Sequence, residues 1–166
     1  MTDQNKPLAG IKVLDLTQIY QGPYAAFLCA MAGADVIKVE PVSGERLRGA
    51  GGAKTPLSFA MLNSNKRSIT LNLRDEEGKK LLRSLVKDAD VLLENYAPGV
   101  MDRLGVGWEE LKQINPRLVY ASGTGYGLSG PDMNLLAMDH TIQAASGLMS
   151  ATGDEDSPPS RSGGAP

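Results

Sequence analysis

Ile11-Lys12-Val13-Leu14-Asp15 and Asp35-Val36-Ile37-Lys38-Val39-Glu40 are two short, β-branched apolar runs, separated by an apolar stretch from Gly22 to Ala32. Runs of this kind form strands buried on both faces, as in a parallel sheet. Pro23 suits the first turn of the intervening helix, where its missing N–H removes no hydrogen bond, and Gly33 supplies the stop. Together the three pieces predict one βαβ unit.

The same alternation continues along the chain. Pro41 to Pro56 is a Gly-rich loop carrying Arg46, Arg48 and Lys54, and Ser58 to Asn63 reads as a helical turn. Arg67 to Leu73 alternates polar and apolar residues and predicts a strand with one packed face. Asp75, Glu76 and Glu77 suit the positive end of a helix running to Lys87. Val91 to Leu93 and Arg117 to Ala121 read as strands, with Trp108 to Ile114 as a short helix between them. Strands alternating with helices predict an α/β fold with a doubly wound parallel sheet. Apolar residues at 138, 142, 145 and 149 predict a last helix from Leu135 to Met149. Residues 1–150 are therefore expected to form the folded part, with 151–166 a loop rich in Ser, Pro, Gly and acid that stops short of a destination.

The bulk numbers exclude several classes. With 166 residues, 42% hydrophobic and 22% charged, the chain suits one soluble domain. A formal net charge of -2, with Lys and Arg interleaved among acids, gives no nucleic-acid footprint. No stretch approaches the ~18 apolar residues of a membrane span, and the start has no signal-peptide core, so a cytoplasmic location is expected. Cys29 alone makes neither a disulfide framework nor a thiolate metal site, and Asp154, Glu155 and Asp156 lack ligand spacing, so no metal is expected.

Gly125-x-Gly127-x-x-Gly130 matches a dinucleotide fingerprint as text, and Glu40 ends the second strand where a ribose-binding acid often sits. The context fails, because these glycines follow the last strand and Pro131 interrupts the helix that should open there. The turn after the first strand, Leu16 to Gly22, lacks the glycine pair. Ser122 to Gly127 leaves two readings open, close approach of a ligand or a tight structural turn. His140 and Asp139 are adjacent, so on a helix their side chains point about 100° apart and form no relay. Asp139 is a candidate for proton transfer or a first-turn charge. Lys66, Arg67, Arg74 and Arg103 could hold phosphates if gathered at one sheet edge, or serve as surface charges.

Several blocks then occur in a specific order: Pro7 to Asp15, Gly22-Pro23, Gly33 to Pro41, Asn65 to Ile69, Glu94-Asn95-Tyr96-Ala97-Pro98-Gly99, Asn115-Pro116-Arg117 and Gly125-Tyr126-Gly127. From Pro7 to about Pro159 the chain closely resembles the opening of class III CoA-transferases, a family that includes formyl-CoA and carnitine CoA-transferases and, more distantly, α-methylacyl-CoA racemases. The resemblance implies the amino-terminal part of a Rossmann-like large domain, a full-length chain about twice as long, and an interlinked homodimer. It implies coenzyme A or acyl-CoA as a substrate, a free carboxylic acid as co-substrate, and no permanently bound cofactor. CoA contacts are expected from Tyr20, Gln21, Leu71, Asn72, Leu73, Arg74, Asn95, Tyr96, Ala97, Arg103, Leu136, Ala137 and Met138, with Asp139 as a catalytic candidate.

The family mechanism uses an aspartate as covalent nucleophile, which by spacing falls just beyond Pro166, so the 166 residues alone are expected to be inactive. The racemase branch would carry a histidine, and formyl-CoA transferases a tyrosine, where this chain has Met138. Formyl-CoA transferases carry glutamate at the position of Asp139, and basic residues at those of Pro41 and Leu136. Transfer of CoA between acids is the leading expectation. The alternatives are 2-methylacyl-CoA racemisation or a non-catalytic CoA-binding fragment.

Overall fold

The structure, a computed structural model, describes residues 5–49 and 56–163. They fall into two compact units, Met1–Gly123 and Thr124–Pro166, so the division comes inside the stretch 1–150 that the sequence grouped together. The first unit holds β1 (Lys12–Asp15), α1 (Gln21–Met31), β2 (Asp35–Glu40), α2 (Leu57–Asn63), β3 (Arg67–Thr70), α3 (Glu76–Val86), β4 (Val91–Glu94), α4 (Val100–Arg103), α5 (Trp108–Ile114) and β5 (Val119–Ser122).

All strand pairs are parallel, in the order β3-β2-β1-β4-β5. The chain winds outward from β1 through β2 to β3, then returns to the other side for β4 and β5. The winding direction therefore reverses between β1 and β4, and loops leaving their carboxyl ends splay apart into a crevice.

Alternation along the central strands explains both layers. Val13 and Val36 face Ala26 and Ala30 of α1, while Leu14, Val39 and Leu92 face Leu82 and Val86 of α3, Met101 of α4 and Leu111 of α5. Leu82, Val86, Leu92 and Leu111 are fully buried, and removing such side chains from water stabilises the fold by about 1.5–3 kcal/mol each. Gly78 in the first turn of α3 is buried so close to the backbone carbonyl of Asn72 that a Cβ there would overlap it, which is why the position takes glycine.

The sequence reading is corrected at three places in this unit. β3 stops at Thr70, not Leu73, and all four of its residues are exposed, since it lies at the edge of the sheet and pairs on one side only. Packing begins at Leu71, which joins the core. The strand expected at Arg117 to Ala121 runs from Val119 to Ser122, because Asn115 Oδ1 accepts from the N–H of Arg117 and holds the chain in a turn. Finally, α4 was not anticipated; it starts after Gly99, whose φ of 74° suits glycine.

In the second unit the helix expected from Leu135 to Met149 is only α6 (Asp139–Ala145), followed by a 3-10 turn at Leu148–Ala151. Met138 is extended and its N–H donates to Thr141 Oγ1 at 2.9 Å, which fixes the start. Gly147, with φ of 79°, ends the run. The apolar spacing continued across this break because two separate elements share it. Among the described residues no helix is long and apolar enough to cross a membrane.

Candidate functional site

The turn from Leu16 to Tyr20 leaves β1 at the reversal of winding direction and begins from a buried charge cluster. Asp15 is fully buried; Thr17 donates to Asp15 Oδ1 through its N–H at 2.9 Å and through its hydroxyl. Lys66 Nζ stands 2.8 Å from Asp15 Oδ2 and also donates to Pro23 O and Asn63 Oδ1. Lys38, buried within β2, lies 3.7 Å from the same carboxylate and donates to Thr17 O at 2.9 Å. Burial pulls the Lys66 ammonium below the ordinary lysine value, with the charge of Asp15 opposing it.

A second cluster grips the same turn from β2 and the loop behind it. Glu40 accepts from Arg48 Nε and Nη2 at 2.6 and 2.7 Å, and Arg48 stacks 4.1 Å from the centre of the Phe59 ring. Burial acts to raise the Glu40 carboxyl, but hydrogen bonds from Arg48 and the Glu45 N–H outweigh it and hold it below the usual value. Glu45 is buried and accepts from the N–H groups of Ile19 at 2.7 Å and Leu47 at 2.8 Å. Just after β4, Asn95 clamps Gln18: its Oδ1 accepts from Gln18 N at 2.8 Å and its Nδ2 donates to Gln18 O at 2.9 Å.

Beside this turn lies a cleft of about 360 Å3 at the carboxyl ends of the strands, lined by Gln18, Val39, Glu40, Pro41, Leu71, Asn72, Leu73, Arg74, Tyr96, Val100 and Leu104. Apolar walls with a few fixed polar groups suit a small-molecule site. Burial pushes the Tyr96 phenol above its ordinary value, with a hydrogen bond to Gln18 opposing, so it remains a neutral donor at physiological pH. The Arg74 guanidinium forms no ion pair or hydrogen bond among the described residues, which leaves its donors open to an anion.

The expected contact residues divide into three groups. Leu71, Asn72, Leu73, Arg74 and Tyr96 line this cleft together. Tyr20 caps α1 and Gln21 begins it, while Asn95 supports the cleft through Gln18. Ala97 accepts from the N–H of Val100, and the exposed Arg103 of α4 lies against Gly99, where a Cβ would stand 3.0 Å from Nη1. Leu136, Ala137, Met138 and Asp139 belong to the second unit and are exposed. Both Asp139 oxygens accept from Gln143 Nε2, and His140 Nε2 stands 3.1 Å from Arg161 Nη1, so the neighbours engage different partners.

The basic residues do not gather at one edge. Lys66 is consumed by Asp15, and Arg67 forms a bidentate pair with Asp35 at the start of β2, away from the carboxyl ends. Among the described basic residues only Arg74 lines the cleft. Arg46 is exposed, and Lys54 lies outside the described residues. No helix opens at Gly130, so the fingerprint-like glycines lack the amide cradle of a dinucleotide site. Among the described residues no group of three His, Cys, Asp or Glu could hold a metal. Sequence reading missed Gln18, Glu45, Val100 and Leu104; the one available signal was Glu45 and Arg48 spaced to meet the end of β2.

Residues 8–166 match the sequence profile of CoA-transferase family III. The chain is 47% identical over 161 residues to formyl-CoA:oxalate CoA-transferase of Streptomyces avermitilis, covering 95% of this chain and 39% of that protein. It is 46% identical to acetyl-CoA:oxalate CoA-transferase of Acetobacter aceti, covering 95% and 41%. A solved CAIB/BAIF family protein from Brucella suis superimposes with a TM-score of 0.90 at 43% identity, over 96% of this chain and 44% of that one. The chain thus spans about two fifths of the length of the curated relatives it matches.

Proposed function

This chain belongs to CoA-transferase family III, and we propose that it supplies the CoA-binding half of an enzyme that moves CoA from an acyl-CoA donor to a free carboxylic acid. The carrying observation is the cleft at the carboxyl ends of β1, β2 and β4, where Leu71 to Arg74 and Tyr96 meet. Its apolar walls suit the pantetheine and adenine portions, and the open guanidinium of Arg74 suits a phosphate. Relatives bearing oxalate in their names make oxalate the first acceptor to try, with formyl-CoA and acetyl-CoA as donors.

In this reading an aspartate beyond Pro166 attacks the donor thioester carbonyl and expels CoA thiolate, leaving an acyl-aspartyl anhydride. The thiolate attacks the aspartyl carbonyl, releases the donor acid as a carboxylate, and forms an aspartyl thioester. The acceptor carboxylate then displaces the thiolate to give a second anhydride, whose acceptor carbonyl the thiolate attacks to free the aspartate. Each difficult exchange is split into easier ones. Asp139 is proposed as a proton-handling or charge-placing acid, and Leu136 to Met138 and Arg103 as further CoA contacts. The whole protein is proposed as an interlinked homodimer working in the cytoplasm without a resident cofactor. Exposed apolar side chains on α1 and α2, among them Leu28, Met31, Leu57 and Met61, support association.

The test has two arms. Calorimetric titration of the 166-residue chain with CoA should show saturable binding that Arg74→Ala weakens about tenfold, an effect expected for one charge-assisted contact; absence of binding overturns the CoA reading. Turnover of formyl-CoA or acetyl-CoA with oxalate should require a longer form carrying the carboxyl-terminal remainder that the relatives possess. Transfer by the 166 residues alone overturns the placement of the nucleophile.

A further inference from the structure

The turn after β1 contains no glycine before Gly22, yet Ile19 adopts a φ of 71°. A β-branched residue in the left-handed region is a genuine outlier, and such strain persists only where the surroundings enforce it. Here the enforcing group is a carboxylate from a distant loop. The N–H of Ile19 donates to Glu45 Oε1 at 2.7 Å, and Glu45 Oε2 accepts from the N–H of Leu47 at 2.8 Å. Two backbone donors converging on one side chain require an acceptor at both atoms, which glutamate has and glutamine lacks.

Glu45 is itself held. It is buried to 3% exposure, and its N–H donates to Glu40 Oε2 at 3.0 Å, the carboxylate that Arg48 grips. On either side of Ile19 stand Gln18, clamped by Asn95 and lining the cleft, and Tyr20, which caps α1. A turn that glycines shape elsewhere is shaped here by a latch.

We propose that Glu45 is a positioning residue of the cleft: its carboxylate holds Ile19 in the left-handed conformation, and so presents Gln18 and Tyr20 to the bound ligand. The identity of that ligand as CoA rests on the function proposed above, whereas the latch concerns Glu45 and Ile19 alone.

The 166-residue chain, its Glu45→Ala and Ile19→Gly variants and the double variant are compared by NMR amide exchange without ligand and by calorimetry with CoA. Glu45→Ala should speed exchange at the Ile19 amide on the order of tenfold, while the Leu14 amide in the core strand keeps its protection. It should raise the CoA dissociation constant about tenfold, because only a minor fraction of molecules retains the competent turn. Adding Ile19→Gly should bring that constant back to within about threefold of the Ile19→Gly chain, since glycine enters the left-handed region without help. Unchanged Ile19 exchange, equal loss of protection at Leu14, unchanged affinity in Glu45→Ala, or failure of the glycine to restore it would each overturn the latch. A chain that binds no CoA but shows the Ile19-specific exchange change keeps the latch and removes CoA as its ligand.

Discussion

Lys66 reaches from the turn before β3 to place its Nζ 2.8 Å from Asp15 Oδ2, with the two side chains 1% and 0% exposed. This contact ties the α2–β3 connection to the end of the central strand, under the turn that carries Gln18 and Ile19. Neither charge has access to water, so the pair is worth most when judged by what its loss exposes.

Substituting Lys66→Met leaves Asp15 with Lys38 at 3.7 Å as its nearest cation. The expected loss is about 1–3 kcal/mol, below that of a fully orphaned buried charge, because Lys38 and the two Thr17 donors still serve Asp15. A urea titration followed by circular dichroism measures it, and a midpoint within error of the parent contradicts the assignment.

Arg48 and Glu40 give a pH dependence. Arg48 holds the folded-state Glu40 carboxyl below its ordinary value of 4.5 despite burial. The unfolded chain therefore binds this proton at higher pH than the folded one. The stabilisation is complete above pH 4.5 and fades as pH falls through the lowered folded value. Because the Arg48 side chain is 43% exposed, Arg48→Met should cost about 1–2 kcal/mol at neutral pH. The gap between parent and variant should close in acid. A gap that stays constant from neutrality to acid would show that lost packing on Phe59, and not charge, accounts for the effect.

Gly78→Ala separates helix propensity from packing. In an open helix the change would gain up to about 1 kcal/mol. Here the added Cβ runs into the carbonyl of Asn72, and backbone yields poorly, so a net loss of about 1–3 kcal/mol is expected. Because Asn72 lines the cleft, CoA binding should weaken as well. A higher melting temperature in the alanine variant would refute the contact.

Two tyrosines should resist ionisation. Burial raises the Tyr96 and Tyr120 phenols above 10, with the charge of Glu94 adding to both. Since a raised folded value means the unfolded chain releases the proton first, stability should fall as pH rises above 10. Ultraviolet titration should show two of the five tyrosines ionising late, together with unfolding, and one late step fewer in Tyr120→Phe. Simultaneous titration of all five near pH 10 would count against the burial of these rings.

Asp35 to Glu40 and Trp108 to Ile114 could be delimited from sequence because their boundaries are set locally, by a glycine shortly before each, a proline shortly after each and the apolar pattern between. The cleft segments Leu71 to Arg74 and Tyr96 were marked by family resemblance, whereas the length of β3 was misread because alternation does not say whether a strand is central or an edge. The charge cluster was not legible at all. Lys38 reads as a strand interruption until Asp15 lies beside it.

The sequence by itself determined the alternation of the five strands with helices, α4 excepted, and the kinship of the chain, since both follow from neighbouring residues and from blocks of residues in a specific order within one chain. Only the tertiary structure decided which charges are buried, and that Ile19 bends where glycine would be expected. Asp15 meets Lys66 across 51 positions and Ile19 meets Glu45 across 26, and a buried ion or a strained turn is stable only when such a distant partner arrives.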